Sequence, residues 1–247
     1  MKSITILLTI LLLNLTTCTE QQLAESRVAE IIYIDLLINL HHNKLPAAIT
    51  AEAELSIQLD RLRPLWQRPM NRTAISKCRG HLDEAETAFS DVKSALSMGN
   101  KEAAIIQLDR AMSELSAADH VSFKKLYTGQ MYDFYSTWRE VHTIINDQML
   151  CLMEWQEYVW WANLAQSEWE KMDCVLPNQK IYRWNDTQGD NFAQAHADLG
   201  EKLTAFSLKI ARGDQCISQD AANEVEESLW NLMRALKADS PSDPLLN

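Results

Sequence analysis

One stretch of the chain, residues 120–173, constrains the fold more than any other. It contains no proline and a single glycine, and its apolar residues recur every three or four positions. Such spacing places them on one face of an α-helix, and a second apolar line flanks the first. A helix that is apolar on more than one face must be covered on more than one face. The stretch therefore predicts a long central helix, with a break near Asn146-Asp147 as the alternative.

The rest of the chain shows the same helical spacing and no two-residue strand period. Helices are predicted over residues 20–42, 47–63, 71–98, 101–118 and 190–212, with a last helix capped by Ser218. Pro64 is expected to end the second helix. We predict an all-α fold, an antiparallel helical bundle whose hairpins pack around the central helix. Residues 19–238 are expected to form one domain and residues 239–247 a disordered tail.

Two of the predicted hairpins, residues 71–118 and 190–237, resemble each other in length and turn position. Each turns at a glycine followed by a polar residue, Gly99-Asn100 and Gly213-Asp214. Each also contains the sequence Thr-Ala-Phe-Ser, at residues 87–90 and 204–207. An internal duplication explains this likeness, and so does the pattern common to helical hairpins.

The first 18 residues have the features of an export signal. Lys2 is followed by an apolar run over residues 4–13, which is too short to span a bilayer as a permanent helix. The sequence Leu15-Thr16-Thr17-Cys18 resembles the lipobox of bacterial lipoproteins, although that family usually has a smaller residue than Thr17. The resemblance implies acylation of Cys18, and Thr19, in place of a retaining aspartate, implies the outer membrane, facing the periplasm. The alternative is an ordinary secretory signal with a cysteine near its cleavage point.

The charge balance limits the classes of partner. The chain carries 23 basic and 34 acidic side chains, a formal net charge of −11. No cluster of lysine and arginine follows a helix face, so nucleic acids and anionic membrane surfaces are poor partners. The acidity indicates a solvated surface, and contact with the membrane is expected through the N-terminal lipid alone.

Four cysteines remain when Cys18 is set aside. An even number in an exported chain predicts two disulfides. On one continuous helix, Cys151 and Cys174 would stand about 34 Å apart, beyond disulfide reach. A following antiparallel helix would return Cys216 to the level of Cys151. We therefore predict the pairs Cys151–Cys216 and Cys78–Cys174, with free buried thiols as the alternative.

The sequence lacks the spacings that carry catalysis or hold metals and cofactors. Glu-x-x-His, His-Glu-x-x-His, Cys-x-x-Cys and Gly-x-Ser-x-Gly are all absent. The adjacent carboxylates Glu84/Glu86 and Glu226/Glu227 fall on helix faces that we expect to be solvated. We therefore predict no catalytic residue, no metal site and no cofactor.

His196 is the histidine that falls on an apolar helix stripe, between Phe192 and Leu199. It has two interpretations. It is either a ligand for a metal or haem, or a core histidine hydrogen-bonded to a carboxylate or a carbonyl. The second interpretation is favoured, because core histidines are common and no partner ligand has the required spacing.

Aromatic residues give the strongest functional indication. Trp160 and Trp161 point about 100° apart on a helix, so both cannot face one neighbouring helix. The long segment 174–188 adds Tyr182, Arg183 and Trp184, which are residue types that protein interfaces favour. The alternative is that surrounding helices cover these rings.

These observations lead to three hypotheses. The favoured one is a non-enzymatic, lipid-anchored interaction or scaffold protein of the bacterial cell envelope, which docks a protein partner through segment 174–188 and the Trp160/Trp161 surface. The alternative is a periplasmic bundle that binds a small apolar, glycan or haem-type ligand among its tryptophans and His196. A hydrolase or transferase without a recognisable motif is the third, because catalytic groups need to be close only in space.

Overall fold

The computed structural model describes residues 2–66, 72–118, 125–146, 154–172, 174–213 and 215–237. Within these ranges, the side chains of residues 2–20, 66, 72–78, 118 and 215–217 are not described. The described residues form helices and no strand, which confirms the all-α prediction. The helices are α1 (Lys2–His41), α2 (Leu45–Trp66), α3 (Arg72–Ser97), α4 (Lys101–Ala118), α5 (Tyr127–Asn146), α6 (Trp155–Glu170), α7 (Gln179–Tyr182), α8 (Asp186–Arg212) and α9 (Gln215–Lys237).

The chain divides into two compact units, Met1–Leu126 and Tyr127–Asn247, where the sequence predicts a single domain. In the first unit α1 packs on α2, α2 on α3, α3 on α4, and α4 on α1, which makes a four-helix ring. Contacts along the α3–α4 pair show that these helices are antiparallel: Glu84 pairs with Arg110 at 2.6 Å, and His81 meets Glu114 at 2.8 Å. Its interior is rich in alanine and leucine (Ala29, Ala48, Ala51, Leu55, Leu62, Ala85, Ala88, Ala104, Leu108, Ala111 and Leu115).

The second unit repeats the ring with different contents. Here α5 packs on α6, α6 on α8, α8 on α9, and α9 on α5. Neighbouring helices are antiparallel, as contacts along the α5–α6 pair illustrate: Phe134 meets Trp169 at 5.0 Å, and the hydroxyl of Tyr158 donates to the carbonyl of Val141 at 3.4 Å. The interior is aromatic (Tyr127, Phe134, Tyr135, Trp138, Tyr158, Trp169, Tyr182, Phe192, Phe206 and Trp230).

The prediction of one continuous central helix is wrong, and the alternative break near Asn146 is correct. Helix α5 ends at Asn146, and α6 begins at Trp155 after Glu154, whose backbone is extended with ψ 137°. The two helices pack side by side. An apolar stripe has the same period whether the helix continues or folds back, because both arrangements need one buried face. Folding back covers the two stripes with each other.

Three smaller predictions are also corrected. Pro64 lies inside α2, which continues only two residues beyond it, to Trp66; the proline removes the one backbone hydrogen bond that an N–H at this position would donate to the carbonyl of Asp60. Ser218 does not cap α9, because that helix begins at Gln215 and Ser218 is buried within it. Helix α8 begins at Asp186, four residues before the predicted start.

The N-terminal and C-terminal predictions fall largely outside the described side chains. Residues 2–18 belong to α1, but the Cys18 side chain lies outside the described residues, as do residues 239–247. Among the described residues, no helix is long and apolar enough to cross a membrane. The export signal and the lipid anchor therefore stay predictions.

Candidate functional site

The segment between α6 and α8 is held in place by its own polar side chains. Asn178 caps the single turn of α7, its side chain accepting from the backbone N–H of Lys180 at 3.0 Å. Asn185 and Gln188 form a reciprocal capping box at the start of α8, with both hydrogen bonds at 2.9 Å. Between these caps Arg183 adopts a left-handed backbone with φ 55°, and its side chain is exposed. The segment is therefore an ordered connection.

Two of the predicted docking residues in this segment are used inside the second unit. Tyr182 is buried, and its hydroxyl oxygen accepts a hydrogen bond of 2.8 Å from the backbone N–H of Tyr127. Tyr127 is the first residue of α5, whose leading N–H groups have no partner within the helix. The half-buried Trp184 lies 4.9 Å from the Tyr182 ring and 5.1 Å from Phe192. Both side chains thus hold the ends of α5 and α8 together.

His196 occupies the core beneath this aromatic cluster. Its Nε2 hydrogen-bonds to the carbonyl oxygen of Met172 at 3.2 Å, and its ring lies 4.6 Å from Trp169, tilted by 35°. The ring of Phe192 lies 6.1 Å away. This arrangement is that of a core histidine bonded to a carbonyl. Among the described residues, no group of three or more histidine, cysteine, aspartate or glutamate side chains could hold a metal ion.

A buried phenol stands next to the histidine. The ring of Tyr127 meets Phe192 edge-on at 4.9 Å and lies 6.1 Å from His196. Its hydroxyl is buried and makes no hydrogen bond within the described part of the chain. Burial raises the pKa of this phenol, because the low-dielectric surroundings disfavour the phenolate. An orphaned hydroxyl of this kind lowers the stability of the fold.

The Trp160/Trp161 pair lies apart from this cluster. Trp160 is 57% exposed and Trp161 is half-buried. Their rings meet edge to face at 5.0 Å, and this is the only ring contact of either indole with a described residue. Because Tyr158, Ala162, Ala165 and Trp169 form the buried face of α6, Trp160 projects from the opposite side of the helix. Of the predicted docking residues, the structure thus buries Tyr182 and His196, half-buries Trp161 and Trp184, and exposes Trp160 and Arg183.

The sequence analysis missed a buried carboxylate. Glu226 is buried, and its two oxygens accept the indole N–H groups of Trp138 at 2.8 Å and Trp230 at 2.9 Å. The expectation that Glu226 is solvated is therefore wrong, whereas its neighbour Glu227 is exposed and pairs with Arg234. Two features of the sequence could have indicated that Glu226 is buried. Trp138 lies on an apolar stripe, and a buried indole N–H requires an acceptor. Glu226 and Trp230 are four residues apart, which places them side by side on one helix.

A surface groove of about 570 Å³ runs between α6 and α8. Trp169 forms its floor against Gly200, where an added Cβ would come within 3.0 Å of the indole nitrogen. Leu208, which is exposed, and the carboxylates of Glu170 and Glu201 stand at its sides. The groove is open, and His196 is not among its lining residues.

The cysteine predictions are only partly within the described side chains. Cys174 is exposed and forms no disulfide with a residue whose side chain the structure describes. The side chains of Cys78, Cys151 and Cys216 lie outside the described residues. The argument that kept Cys151 away from Cys174 assumed one continuous helix, which the structure does not have. The pairs Cys151–Cys216 and Cys78–Cys174 therefore stay predictions without that support.

Comparison of this chain with protein-family models, with curated proteins and with solved structures finds no match.

Proposed function

We propose that this chain is a lipid-anchored, non-enzymatic interaction protein of the bacterial cell envelope. In this proposal Cys18 carries the lipid, and the outer face of α6, around Trp160 and Trp161, binds a partner protein.

The exposed Trp160, in ring contact with the half-buried Trp161, is the observation that carries the proposal. Trp160 is 57% exposed and leaves a large apolar surface in water, and its ring lies edge to face against that of Trp161. Tryptophan is among the residues that contribute most to the affinity of protein interfaces. The pair therefore has the chemistry of an interface anchor.

The buried groups support an interaction role over a ligand chamber in the second unit. Tyr182, Trp184 and His196 are engaged with neighbouring rings and backbone groups, as described above. A small ligand bound among these three residues would have to displace those contacts. For this reason the proposed binding surface is α6 alone, with segment 174–188 serving to hold the unit together.

Site-specific photo-crosslinking in intact cells tests the proposed surface. A photoreactive phenylalanine derivative replaces Trp160 in one variant and Ile57 in another; both side chains are 57% exposed, and Ile57 lies on α2 in the first unit. We expect one discrete adduct from position 160 and none of that mass from position 57. Adding Trp161→Ala to the first variant is expected to reduce its yield several-fold. Equal adducts from both positions, or none from position 160, would contradict the proposal.

The anchor is tested separately. Intact mass of the chain from its native membrane fraction is expected to show an N-terminus at Cys18 with added acyl mass, and Cys18→Ser is expected to release the chain from that fraction. A mature chain that begins after Cys18 would show that the anchor is absent, and it would leave the tryptophan surface to be judged by the crosslinking result.

A further inference from the structure

A small pocket of about 290 Å³ opens between α2 and α3 of the first unit. Its walls carry five charged side chains: Glu52, Asp60 and Arg63 from α2, and Glu86 and Lys93 from α3. Leu59, the buried ring of Phe89 and two serines complete the lining. The volume is at the lower end of what small-molecule sites occupy.

Glu52 distinguishes this pocket from an ordinary charged surface. It is only 5% exposed, and its carboxylate makes no hydrogen bond or ion pair with any residue that the structure describes. Loss of water around the carboxylate raises its pKa, and the positive charge of Lys93 offsets part of that effect. A carboxylate in such surroundings without a donor among the described residues is costly, and the place of Glu52 on the pocket wall leaves it open to a donor that enters there.

The charges around Glu52 indicate what that donor would be. Arg63 and Glu86 form an ion pair, so their charges cancel. Glu52 and Asp60 then face Lys93 alone, which leaves one negative charge in excess. A monovalent cation with N–H donors would balance this charge and would satisfy Glu52 as well.

We propose that this pocket binds a small organic ammonium ion, whose N–H groups donate to the Glu52 carboxylate. The ring of Phe89 offers the apolar and π surface on which the carbon chain and the cation pack. A metal ion is a poorer occupant, because the described residues contain no group of three or more suitable ligands.

Isothermal titration of the full chain with butylammonium chloride tests this inference, with 1-butanol and butyrate as neutral and anionic probes of similar size. We expect saturable binding of butylammonium only. Alkylamines keep their proton below about pH 9, as the lysine side chain does. Affinity is therefore expected to fall as the pH falls through the raised pKa of Glu52, because protonation removes the negative charge that the cation binds. Equal binding of 1-butanol would overturn the proposal.

Matched variants isolate Glu52 from the other charged groups in the pocket. Glu52→Gln is expected to weaken butylammonium binding at least tenfold and to remove its dependence on pH. Glu54→Gln, on the exposed side of the same helix, is expected to change neither. Lys93→Met removes the competing cation and is expected to tighten binding several-fold, which gives a second test if Glu52→Gln fails to fold. Equal affinities in the two glutamine variants, or weaker binding in Lys93→Met, would overturn the proposal.

Discussion

In the first unit the α3–α4 hairpin closes over alanine and leucine, whereas in the second the α8–α9 hairpin closes over aromatic rings. The hairpins occupy the same place in their rings of four helices, and both turn at a glycine with a left-handed backbone, φ 68° at Gly99 and 77° at Gly213. The comparison teaches that a glycine turn and a helical spacing of apolar residues are enough to form a hairpin in a ring of four helices. The volume of the core residues then decides which polar groups must be buried with them.

The shared Thr-Ala-Phe-Ser sequence has the same local structure in both units. Thr87 and Thr204 each donate a hydroxyl hydrogen bond of 2.9 Å to the carbonyl four residues earlier, and Phe89 and Phe206 are both buried. The distance to the turn differs, since Phe89 precedes Gly99 by ten residues and Phe206 precedes Gly213 by seven. A difference of three residues is close to one helical turn, which keeps the same face buried. The likeness therefore extends from sequence to position in the fold.

The largest expected effect comes from emptying the aromatic core. Trp138→Ala is expected to destabilise the second unit by about 3–5 kcal/mol, because it leaves a cavity and removes one of the two donors to Glu226. Hydrogen exchange read by mass spectrometry is expected to show lost protection in α5, α6, α8 and α9 and retained protection in α1–α4.

Leu108→Ala in the first unit is the matched variant, because Leu108 is also fully buried. It is expected to produce the opposite pattern, at a cost of about 2–5 kcal/mol. Uniform loss of protection across all helices in both variants would break the comparison, since the two units would then unfold as one.

Tyr182 and Tyr127 allow a hydroxyl that accepts a hydrogen bond to be compared with one that makes none among the described residues. Tyr182→Phe is expected to lower the free energy of unfolding by about 1–3 kcal/mol, because the first N–H of α5 loses its acceptor. Tyr127→Phe removes a buried hydroxyl that has no partner and is expected to raise stability by about 1 kcal/mol. Urea unfolding followed by far-UV circular dichroism measures both. Equal destabilisation by the two substitutions would refute this difference in roles.

The smallest effect tests whether the two turns are equivalent. Gly99→Ala and Gly213→Ala are each expected to cost about 1–2 kcal/mol, because an L side chain is strained at positive φ. Space is not limiting: an added Cβ would meet nothing within 4 Å at Gly99, and only the Trp155 indole nitrogen at 3.9 Å at Gly213. The same unfolding measurement applies. If the two substitutions lower the free energy of unfolding by amounts that differ by more than about 1 kcal/mol, the two turns are not equivalent.

The sequence predicted the helices and their buried faces well, because helical period and burial are local properties. The helical period of the sequence places Leu203 on α8 and Leu229 on α9 on apolar faces, and both side chains are fully buried. The reversal after Asn146 could not be decided in this way, since a folded-back pair and a continuous helix have the same apolar period. The likeness of the two hairpins was visible in sequence, but their equivalent places in two rings were not.

The polar interior was less predictable, because it depends on residues far apart in the chain. Glu226 looks like any surface glutamate until Trp138, 88 residues away, is placed against it. Tyr182 and Trp184 gave the signature of an interface, and only the position of Tyr127 shows that they close the second unit. The exposure of Trp160 was one of two outcomes that its position beside Trp161 allowed.

The aromatic core of the second unit also determines what can be observed optically. Seven of the eight tryptophans, from Trp138 to Trp230, lie in that unit, and only Trp66 lies in the first. Intrinsic fluorescence therefore reports almost entirely on residues 127–247, whereas far-UV dichroism weighs the helices of both units. Indoles whose N–H groups face the buried Glu226 carboxylate are expected to emit differently from the exposed Trp160. Unlabelled protein thus contains a reporter for one of its halves.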